Sequence, residues 1–389
     1  MKKVYYFDYN ATTPVHPEVL EAMLPFFKES YGNPSSAHTF GRETRTAIDS
    51  AREKVAKILG AETSEIVFTS CGSESNNLVL KGLSSFHCKA KDHIITSCIE
   101  HPAILSTCSF LEESGYKVTY LPVDKNGRIN LSELERAITK QTLVISIMHG
   151  NNEIGVIQSI SEIGEIARKK GVFFHTDAVQ TVGKIPIDVN RLNVDFLSLS
   201  AHKFYGPKGV GALYVRKGID MYPLIHGGHQ EKSRRAGTEN VAGIVGLGTA
   251  CEIAMRDMDE EFRHFVSLKE KFCNGLMEKI PKIRINCSYE NCMPNTLNVG
   301  FFAIEGESLL INLDLKGIAV STGSACSSGS VEPSHVLRAI GVPVGYIQGS
   351  LRFSFGRFTT SEEIDYLLEV LPPIVEKLRS MSPLWDGAV

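Results

Sequence analysis

One lysine of the chain lies where its amine can become a nucleophile. Lys203 stands in the turn S-A-H-K-F-Y-G-P-K-G, between the apolar runs 194–200 and 210–215, which are typical of strands. A lysine at the rim of a sheet is partly desolvated, which disfavours its ammonium form and frees an amine able to form a Schiff base with an aldehyde cofactor. An exposed turn lysine is the alternative interpretation of this segment taken alone.

Two further strand-like runs end in residues suited to phosphate and ring binding. After the run 66–68, Gly72 and Ser73 open a helix and can hold a phosphate, although an ordinary capping serine would look the same. After the run that ends at Thr96, His101 precedes a helix start. A histidine there can stack on a flat ring, move a proton or simply cap the helix.

Polar residues follow two later strand-like runs as well. Asp177 stands two residues after the apolar run 172–175, where a carboxylate is costly unless a structural partner or a protonated pyridine nitrogen pairs with it. Gln180, three residues further on, can reach a phenolic oxygen on the same ring. Asn152 stands in the turn H-G-N-N-E, a weaker signal because turns rich in asparagine are common.

These residues are expected to meet in one crevice, because ligands of α/β sheets bind at the carboxyl ends of the strands. Each motif by itself has an ordinary structural explanation. A phosphate seat, a ring partner, an acidic anchor and a lysine at neighbouring strand ends together predict a site for pyridoxal 5′-phosphate (PLP).

A second candidate nucleophile is Cys326, in the stretch S-T-G-S-A-C-S-S-G-S. Small residues surround the cysteine almost completely, which predicts a mobile loop with an accessible thiol, the form that can react as a thiolate. Arg352, in L-R-F-S, can hold a substrate carboxylate through two parallel hydrogen bonds. A surface ion pair is the alternative for this arginine.

The elements that must position these residues alternate between strand and helix from residue 65 onward, which predicts an α/β domain with a mostly parallel sheet. Seven strand-like runs and the helical stretches between them form a large domain at 15–255. A long charged helix is predicted at 252–279, and a smaller α+β domain comprises 1–14 and 256–389, with the mobile cysteine loop at about 321–332.

Composition excludes several classes of function. The 389 residues carry a net charge of −3, so no basic field favours nucleic acid or an anionic membrane. Neither a signal-peptide core nor an apolar stretch of about 18 residues is present, and a soluble cytoplasmic protein is expected. Nine cysteines without a C-x-x-C pair predict free thiols and no structural metal site, because the pairs Cys98/Cys108 and Cys287/Cys292 have poor zinc spacing.

The motifs resemble those of the NifS/IscS cysteine desulfurases, fold-type I PLP enzymes of aminotransferase class V. The resemblance runs from D-Y-N-A-T-T-P at Asp8 to R-S-M-S-P-L-W at Arg379 and includes E-H-P-A, N-N-E-I-G, H-T-D-A-V-Q, H-G-G-H-Q-E and R-R-A-G-T-E-N. The stretch around Cys326 is similar to the longer, Ser/Gly-rich loop of that group rather than to the short loop of SufS-like enzymes. The resemblance therefore implies a large domain with a mostly parallel seven-stranded sheet.

Five residues contact the ring of PLP according to this resemblance. Lys203 would hold the cofactor as a Schiff base, Asp177 would pair with the pyridine nitrogen, and His101 would stack on the ring. Asn152 and Gln180 would address its phenolic oxygen.

A second set of residues would hold the phosphate group of PLP. This chain supplies four of them, Gly72, Ser73, Ser200 and His202, and Thr238 would come from the partner subunit of a homodimer. The family often has threonine where Ser73 stands, but the hydroxyl is retained and little change is expected.

The resemblance also implies a reaction. Arg352 and Asn152 would bind L-cysteine, Lys203 would remove its Cα proton, and the Cys326 thiolate would attack its sulfur to leave a persulfide and L-alanine. His101 would deprotonate the incoming thiol or protonate the product. The sulfur would pass to a NifU/IscU-like iron–sulfur scaffold or another acceptor, with Cys326 a candidate transient cluster ligand and no intrinsic metal.

Two other functions stay open at this point. A class V transaminase or a selenocysteine lyase would use the same cofactor but would not need Cys326. A thiol carrier or binding protein without catalytic activity would keep the fold without PLP, although Lys203 and Asp177 argue against it.

Overall fold

The structure is a computed structural model that describes residues 4–87, 91–287, 290–322 and 333–385. Its helices are α1 Pro17–Met23, α2 Pro25–Lys28, α3 Thr39–Leu59, α4 Gly72–His87, α5 Pro102–Glu113, α6 Leu131–Ala137, α7 Ile160–Lys170, α8 Val241–Lys279, α9 Gly306–Asp314, α10 His335–Ala339, α11 Val344–Ile347 and α12 Ser361–Ser380. Its strands are β1 Tyr5–Tyr6, β2 Ile66–Thr69, β3 His93–Ser97, β4 Lys117–Leu121, β5 Thr142–Ser146, β6 Phe173–Asp177, β7 Phe196–Ser200, β8 Gly211–Val215, β9 Ile283–Ile285, β10 Thr296–Phe301, β11 Ile318–Ala319 and β12 Ser350–Ser354. None of the helices in these ranges has the length and apolar content needed to cross a bilayer.

The largest sheet has seven strands in the order β2-β8-β7-β6-β5-β3-β4. Strands β3 to β7 pair in parallel with their neighbours, and β8 is antiparallel to both β2 and β7. Six strands therefore run in one direction and only β8 runs against them. The predicted α/β class and mostly parallel seven-stranded sheet are confirmed.

Helices cover both faces of this sheet. Successive residues of a strand point to opposite faces, so in β5 Val144 packs into the apolar cluster with α4 and α5, whereas Ile145 packs into the cluster with α3, α7 and α8. All five residues of β5 and of β7 are buried. Burial on both faces explains why these strands contain apolar and small polar residues but no charged one.

A second core lies in the C-terminal part of the chain. The antiparallel sheet β12-β10-β9 packs with α9 and α12 around buried side chains such as Phe272, Leu297 and Phe353. Helix α8 contributes to both cores, with residues 242–254 in the first and 268–276 in the second. The domain boundary at 255/256 falls between these two stretches, and the division into domains stays a prediction.

Helix α8 begins at Val241, eleven residues before its predicted start. Three glycines in its first turns lower the intrinsic helix propensity, which hid this part of the helix in the sequence. A Cβ atom at Gly248 would lie 2.7 Å from the Cα of Ala51 on α3. The glycine allows the two helices to pack closely, and this contact, not local propensity, extends the helix.

The side chain of Arg357 links α8 to the rest of the fold. Its guanidinium pairs with Asp257, 3.0 Å away, and with the buried Glu261, and it lies over the ring of Tyr205. Its Nη1 lies 2.9 Å from Nε2 of His16, and burial followed by the Arg357 charge lowers the pKa of that histidine, so the neutral ring accepts the hydrogen bond. One partly buried arginine thus joins three segments.

Replacing Arg357 with alanine should lower the free energy of unfolding by about 3 kcal/mol, because Glu261 would be left buried without its counter-ion. Arg256→Ala is the matched control: that arginine also pairs with Asp257 but is exposed, so its loss should matter much less. Urea unfolding of both variants measures the difference. Equal losses in the two variants would contradict this account of α8.

Candidate active site

A cavity of about 360 Å³ opens at the carboxyl ends of the parallel strands. Ten of the residues that the sequence predicts for the site line it: Gly72, Ser73, His101, Asn152, Asp177, Gln180, Ser200, His202, Lys203 and Arg352. Each follows or ends a strand, apart from Arg352, which lies within β12. The expectation that these residues meet in one crevice is confirmed, while their individual roles stay predictions.

Lys203 ends a single 3-10 turn, Ala201–Lys203, directly after β7. Its Nζ donates hydrogen bonds to the backbone carbonyl oxygens of Asn10 and Ala11, at 2.6 and 2.8 Å. These two acceptors are neutral. The N-terminal segment therefore holds the amine in the cavity through carbonyl dipoles, which leaves the nitrogen able to exchange one hydrogen-bond partner for a ligand.

Asp177 ends β6, and its carboxylate has two protein donors. Asn76 Nδ2 donates to Oδ2 at 2.7 Å, and the backbone N–H of Val179 donates to Oδ1 at 3.0 Å. The aspartate is thus held in one orientation with acceptor capacity to spare. Asn76 itself is buried on α4, and its Oδ1 has no hydrogen-bond partner among the described residues.

The first turn of α4 lies at one end of the cavity. Gly72 is the first residue of this helix, and a Cβ atom there would lie 2.5 Å from Cγ2 of Val179. Only glycine fits without displacing Val179, and the helix start leaves backbone N–H groups unpaired by the helix itself. Ser73 is exposed and Ser200 is buried at the end of β7. The arrangement is suited to an anionic group.

His202 and His101 are both neutral in this setting. Burial, with the charge of Lys203, lowers the pKa of His202 to about 4, and its Nδ1 lies 3.1 Å from the Thr12 hydroxyl. His101 caps α5 by accepting a hydrogen bond at Nδ1 from Ala103 N, at 3.1 Å. Burial lowers the pKa of His101 as well, so its single ring proton is on Nε2. The capping role that the sequence left open is confirmed, and His101 lines the cavity at the same time.

Arg352 is 2% exposed, so the alternative of a surface ion pair is wrong. Its Nη2 pairs with Asp8 Oδ1 at 2.6 Å, and its Nη1 donates to the carbonyl oxygen of Asn152 at 3.0 Å. The buried Nε has no partner among the described residues. Because a guanidinium carries five N–H donors, three remain for a ligand such as a carboxylate.

Asn10 connects the residues around the cavity, a role that the sequence reading missed. Its carbonyl oxygen accepts hydrogen bonds from Lys203 and from Gln180 Nε2, the latter at 3.0 Å. Its side chain contacts Thr296 at 2.8 Å and Asn295 at 3.1 Å. The only signal in the sequence is a polar turn after the first strand-like run, which predicts no contact this specific.

A second residue missed from the sequence is Lys184, which lies behind Gln180. Its Nζ is buried and donates to Gln180 Oε1 at 3.3 Å and to Asn10 Oδ1 at 3.5 Å. Burial, and then the charges of Lys203 and Arg352, lower its pKa to about 7. The lysine fixes the Gln180 amide from the side opposite the cavity.

Two buried acids hold the loops that carry His101 and Asn152. Glu100 accepts hydrogen bonds from Ser97 Oγ and Met148 N, and burial raises its pKa to about 8. Glu153 accepts one from Ser334 Oγ at 2.5 Å, and burial raises its pKa to about 7. Each acid is adjacent in sequence to a cavity residue, so these contacts restrict where that residue can lie.

One predicted site residue, Thr238, is exposed and outside the lining of this cavity. Cys326 belongs to 323–332, outside the described residues, so its place stays a prediction. The described chain on either side of that segment contacts neighbours of the cavity. Ser321 exchanges backbone hydrogen bonds with Arg352, at 2.7 and 3.3 Å, and Ser334 bonds to Glu153.

The sequence profile of the aminotransferase class-V family matches residues 5–367. A cysteine desulfurase IscS of Dictyoglomus turgidum is 55% identical over 383 residues, covering 98% of this chain and 97% of the relative. A cysteine desulfurase IscS of Methanosarcina thermophila is 56% identical over 382 residues, covering 98% and 94%.

Solved structures of similar proteins point to the same family as the sequence relatives. A NifS-like protein superposes with a TM-score of 0.92 at 46% identity, covering 97% of this chain and 100% of that chain. A structure described as SspA in complex with cysteine gives a TM-score of 0.81 at 42% identity, covering 92% and 100%. The chain therefore belongs to the class-V aminotransferase family, within its NifS/IscS group of cysteine desulfurases.

Proposed function

We propose that the chain is a PLP-dependent cysteine desulfurase that converts L-cysteine to L-alanine and leaves the sulfur as a persulfide on Cys326. The single observation that carries this function is the cavity in which Lys203, Asp177, His101 and Arg352 meet. The names of the relatives agree with it, and one structural relative is described in complex with cysteine.

The cavity fits PLP in its donor set and in its shape. Gly72 keeps the seat at the start of α4 open, and Ser73, Ser200 and His202 offer donors for a phosphate, with neutral His202 acting as a hydrogen-bond donor rather than as a cation. Asp177 offers the carboxylate that a protonated pyridine nitrogen needs. When bound, PLP supplies an electron sink that stabilises negative charge at the Cα of an amino acid.

Lys203 is the residue that would carry the cofactor and afterwards move the Cα proton. Its Nζ already points into the cavity between two carbonyl acceptors, which orient the amine without neutralising it by an ion pair to either. Asp177, fixed by Asn76 and Val179 N, would keep a proton on the ring nitrogen. Gln180 and Asn152 would donate to the phenolic oxygen.

Arg352 would bind the substrate carboxylate through its remaining N–H donors, while Asp8 and the Asn152 carbonyl keep the guanidinium in place. His101, neutral with its proton on Nε2, offers the cavity a hydrogen-bond donor, and to protonate the product it would first take up a proton from the incoming thiol.

Cys326 would be the residue that takes the sulfur atom from L-cysteine. Its thiolate attacks the sulfur of L-cysteine, so an S–S bond forms as the Cβ–S bond breaks, and the electron pair left at Cβ is protonated to give the methyl group of L-alanine. Cys326 is four residues from Thr322, a span of at most about 14 Å. Ser321, which precedes Thr322, is bonded to the backbone of Arg352, so the described chain before this segment ends beside the proposed substrate-binding arginine.

Further parts of the proposal concern partners and location. Thr238 would complete the phosphate site of the other subunit in a homodimer. It is exposed, and Ala236, two residues before it, bonds to the exposed Ile225, an apolar residue that a partner could cover. The persulfide sulfur would pass to an iron–sulfur scaffold or another acceptor protein in the cytoplasm. No role in binding nucleic acid or a membrane is proposed.

The first prediction concerns the thiol that receives sulfur. After incubation with L-cysteine and PLP, mass spectrometry should find one added sulfur atom on tryptic peptide 317–338, which contains Cys326 alone. Cys71 lines the cavity and is the competing thiol, on peptide 58–81. Cys326→Ala should lose at least about 99% of L-alanine formation, a transition-state loss of roughly 3 kcal/mol, whereas Cys71→Ser should retain it. Undiminished turnover in Cys326→Ala would indicate a transaminase or lyase instead.

The second prediction concerns which lysine holds PLP. Borohydride reduction of the PLP-loaded chain should fix the cofactor on a peptide containing Lys203, and Lys203→Ala should abolish both the adduct and turnover. Lys184 is the control because it is buried nearby with a pKa lowered to about 7. The adduct should persist in Lys184→Met, and an adduct found on Lys184 would refute the assignment.

The third prediction follows from the lowered pKa of Lys184. In the unfolded chain this amine keeps its usual pKa near 10.5, so between pH 7 and that value the unfolded state binds more protons and folding stability rises with pH. Relative to Lys184→Met, the ligand-free chain should gain about 2 kcal/mol of unfolding free energy from pH 7 to pH 9. Urea unfolding at several pH values tests this, and parallel profiles for the two proteins would contradict it.

A further inference from the structure

Two cysteines and a lysine form a cluster outside the cavity. Cys287 follows β9, and Cys292 lies in the segment that pairs with residues 155–157. Cys287 donates a hydrogen bond to the sulfur of Cys292, and Lys269 Nζ, from α8, lies 3.2 Å from the same sulfur. Taken as whole residues, both cysteines are partly exposed, although their sulfur atoms lie mostly below the surface.

Lys269 needs a counter-charge at this position. It is 7% exposed, and its other hydrogen bond goes to the carbonyl oxygen of Met293 at 3.0 Å. Among the described residues no carboxylate lies within ion-pair distance of its Nζ. Because a buried charge is costly unless it is paired, the sulfur of Cys292 is the group that can balance the ammonium.

The neighbours of Cys292 favour its thiolate. The hydrogen bond from Cys287, together with the Lys269 charge, outweighs the effect of burial and lowers the pKa of Cys292 to about 6, while the same hydrogen bond raises the pKa of Cys287. A contact of 3.6 Å to the carbonyl oxygen of Ile154 would suit only the thiol form. Two donors, one of them charged and at 3.2 Å, outweigh that single long contact.

We propose that Cys292 and Cys287 form a reversible dithiol–disulfide site, with Cys292 as the attacking thiolate and Cys287 as the resolving thiol. The oxidant is a small organic disulfide. The Cys292 thiolate attacks one of its sulfurs, forming a mixed disulfide and releasing a thiolate. Cys287 then loses its proton and attacks Cys292, which releases the second thiol and closes the protein disulfide; the two cysteines are oxidised and the organic disulfide is reduced to two thiols.

The lysine makes this disulfide easy to reduce. Oxidation converts the thiolate into a neutral disulfide, which leaves the Lys269 ammonium buried without its counter-charge. Stabilisation of the reduced form raises the reduction potential of a dithiol pair. The site is therefore labile and responsive to its thiol environment rather than a permanent cross-link, and it uses neither Cys326 nor any cavity residue.

Peptide mapping tests the proposal on the full chain. Tryptic peptide 285–316 contains Cys287 and Cys292 and no other cysteine. In a buffer of oxidised glutathione, this peptide should lose two hydrogen atoms and resist iodoacetamide, and reduced glutathione should restore two alkylation sites. A peptide that remains fully alkylated in the oxidised buffer, or a disulfide that joins either cysteine to another part of the chain, would overturn the proposal.

Variants assign the separate roles. Cys287→Ser should accumulate one glutathione on Cys292, whereas Cys292→Ser should leave Cys287 unmodified.

Lys269→Met should slow alkylation of Cys292 at pH 7 by about tenfold, because the pKa of Cys292 rises when the charge is lost. The same variant should make the disulfide harder to reduce. Lys271→Met removes the same charge from a half-buried position on α8, where the lysine pairs with Asp365 and not with a cysteine, and is the control. Lys269→Arg keeps the charge if the methionine variant fails to fold, and it should preserve fast alkylation. Equal rates in Lys269→Met and Lys271→Met, or equal reactivity of the two cysteines, would refute the roles assigned.

Discussion

The arrangement of the cavity depends on the hydrogen bonds of one buried residue, Asn10. Its backbone carbonyl oxygen accepts hydrogen bonds from the side chains of Lys203 and Gln180. Its side-chain Nδ2 donates to the carbonyl oxygen of Asn152 at 3.2 Å and also bonds to the C-terminal core. A buried polar group that loses its partner costs about 1–3 kcal/mol. Because the polar groups of Asn10 must keep their hydrogen-bond partners, the N-terminal segment, the turn that carries Lys203 and the C-terminal core are held in a single arrangement.

Burial determines which of the groups around Asn10 and the cavity carry a charge. Burial lowers the pKa values of His101, His202 and Lys184, and it raises those of Glu100 and Glu153. Neutral forms are thereby favoured near the cavity. Permanent charge is left to groups that have partners, such as Arg352 with Asp8 and Asp177 with Asn76, and a ligand that brings its own negative charge meets oriented donors at the start of α4.

Helix α8 has a comparable structural role on a larger scale. Its first half packs on the sheet that carries the cavity, and its second half packs on the C-terminal core and presents Lys269 to Cys292. Because one continuous helix belongs to both cores, it fixes how the segment after β9 meets the loop that carries Asn152. The thiol pair and the cavity are thus separate sites on a shared framework.

The sequence by itself predicted the sheet and its strand ends, because apolar runs form strands and parallel strands bring their carboxyl ends together. It also predicted ten of the residues that line the cavity, with Ser200 and His202 among them implied by the family resemblance. It could not determine contacts between distant segments. The pairing of Asn76 with Asp177, of Lys184 with Gln180 and Asn10, and of Lys269 with Cys292 has no local signature. The early part of α8 was hidden for the same reason, since Gly248 is explained only by the close approach of α3. Local sequence sets which elements form, whereas packing decides which side chains meet, and only the tertiary structure contains that information.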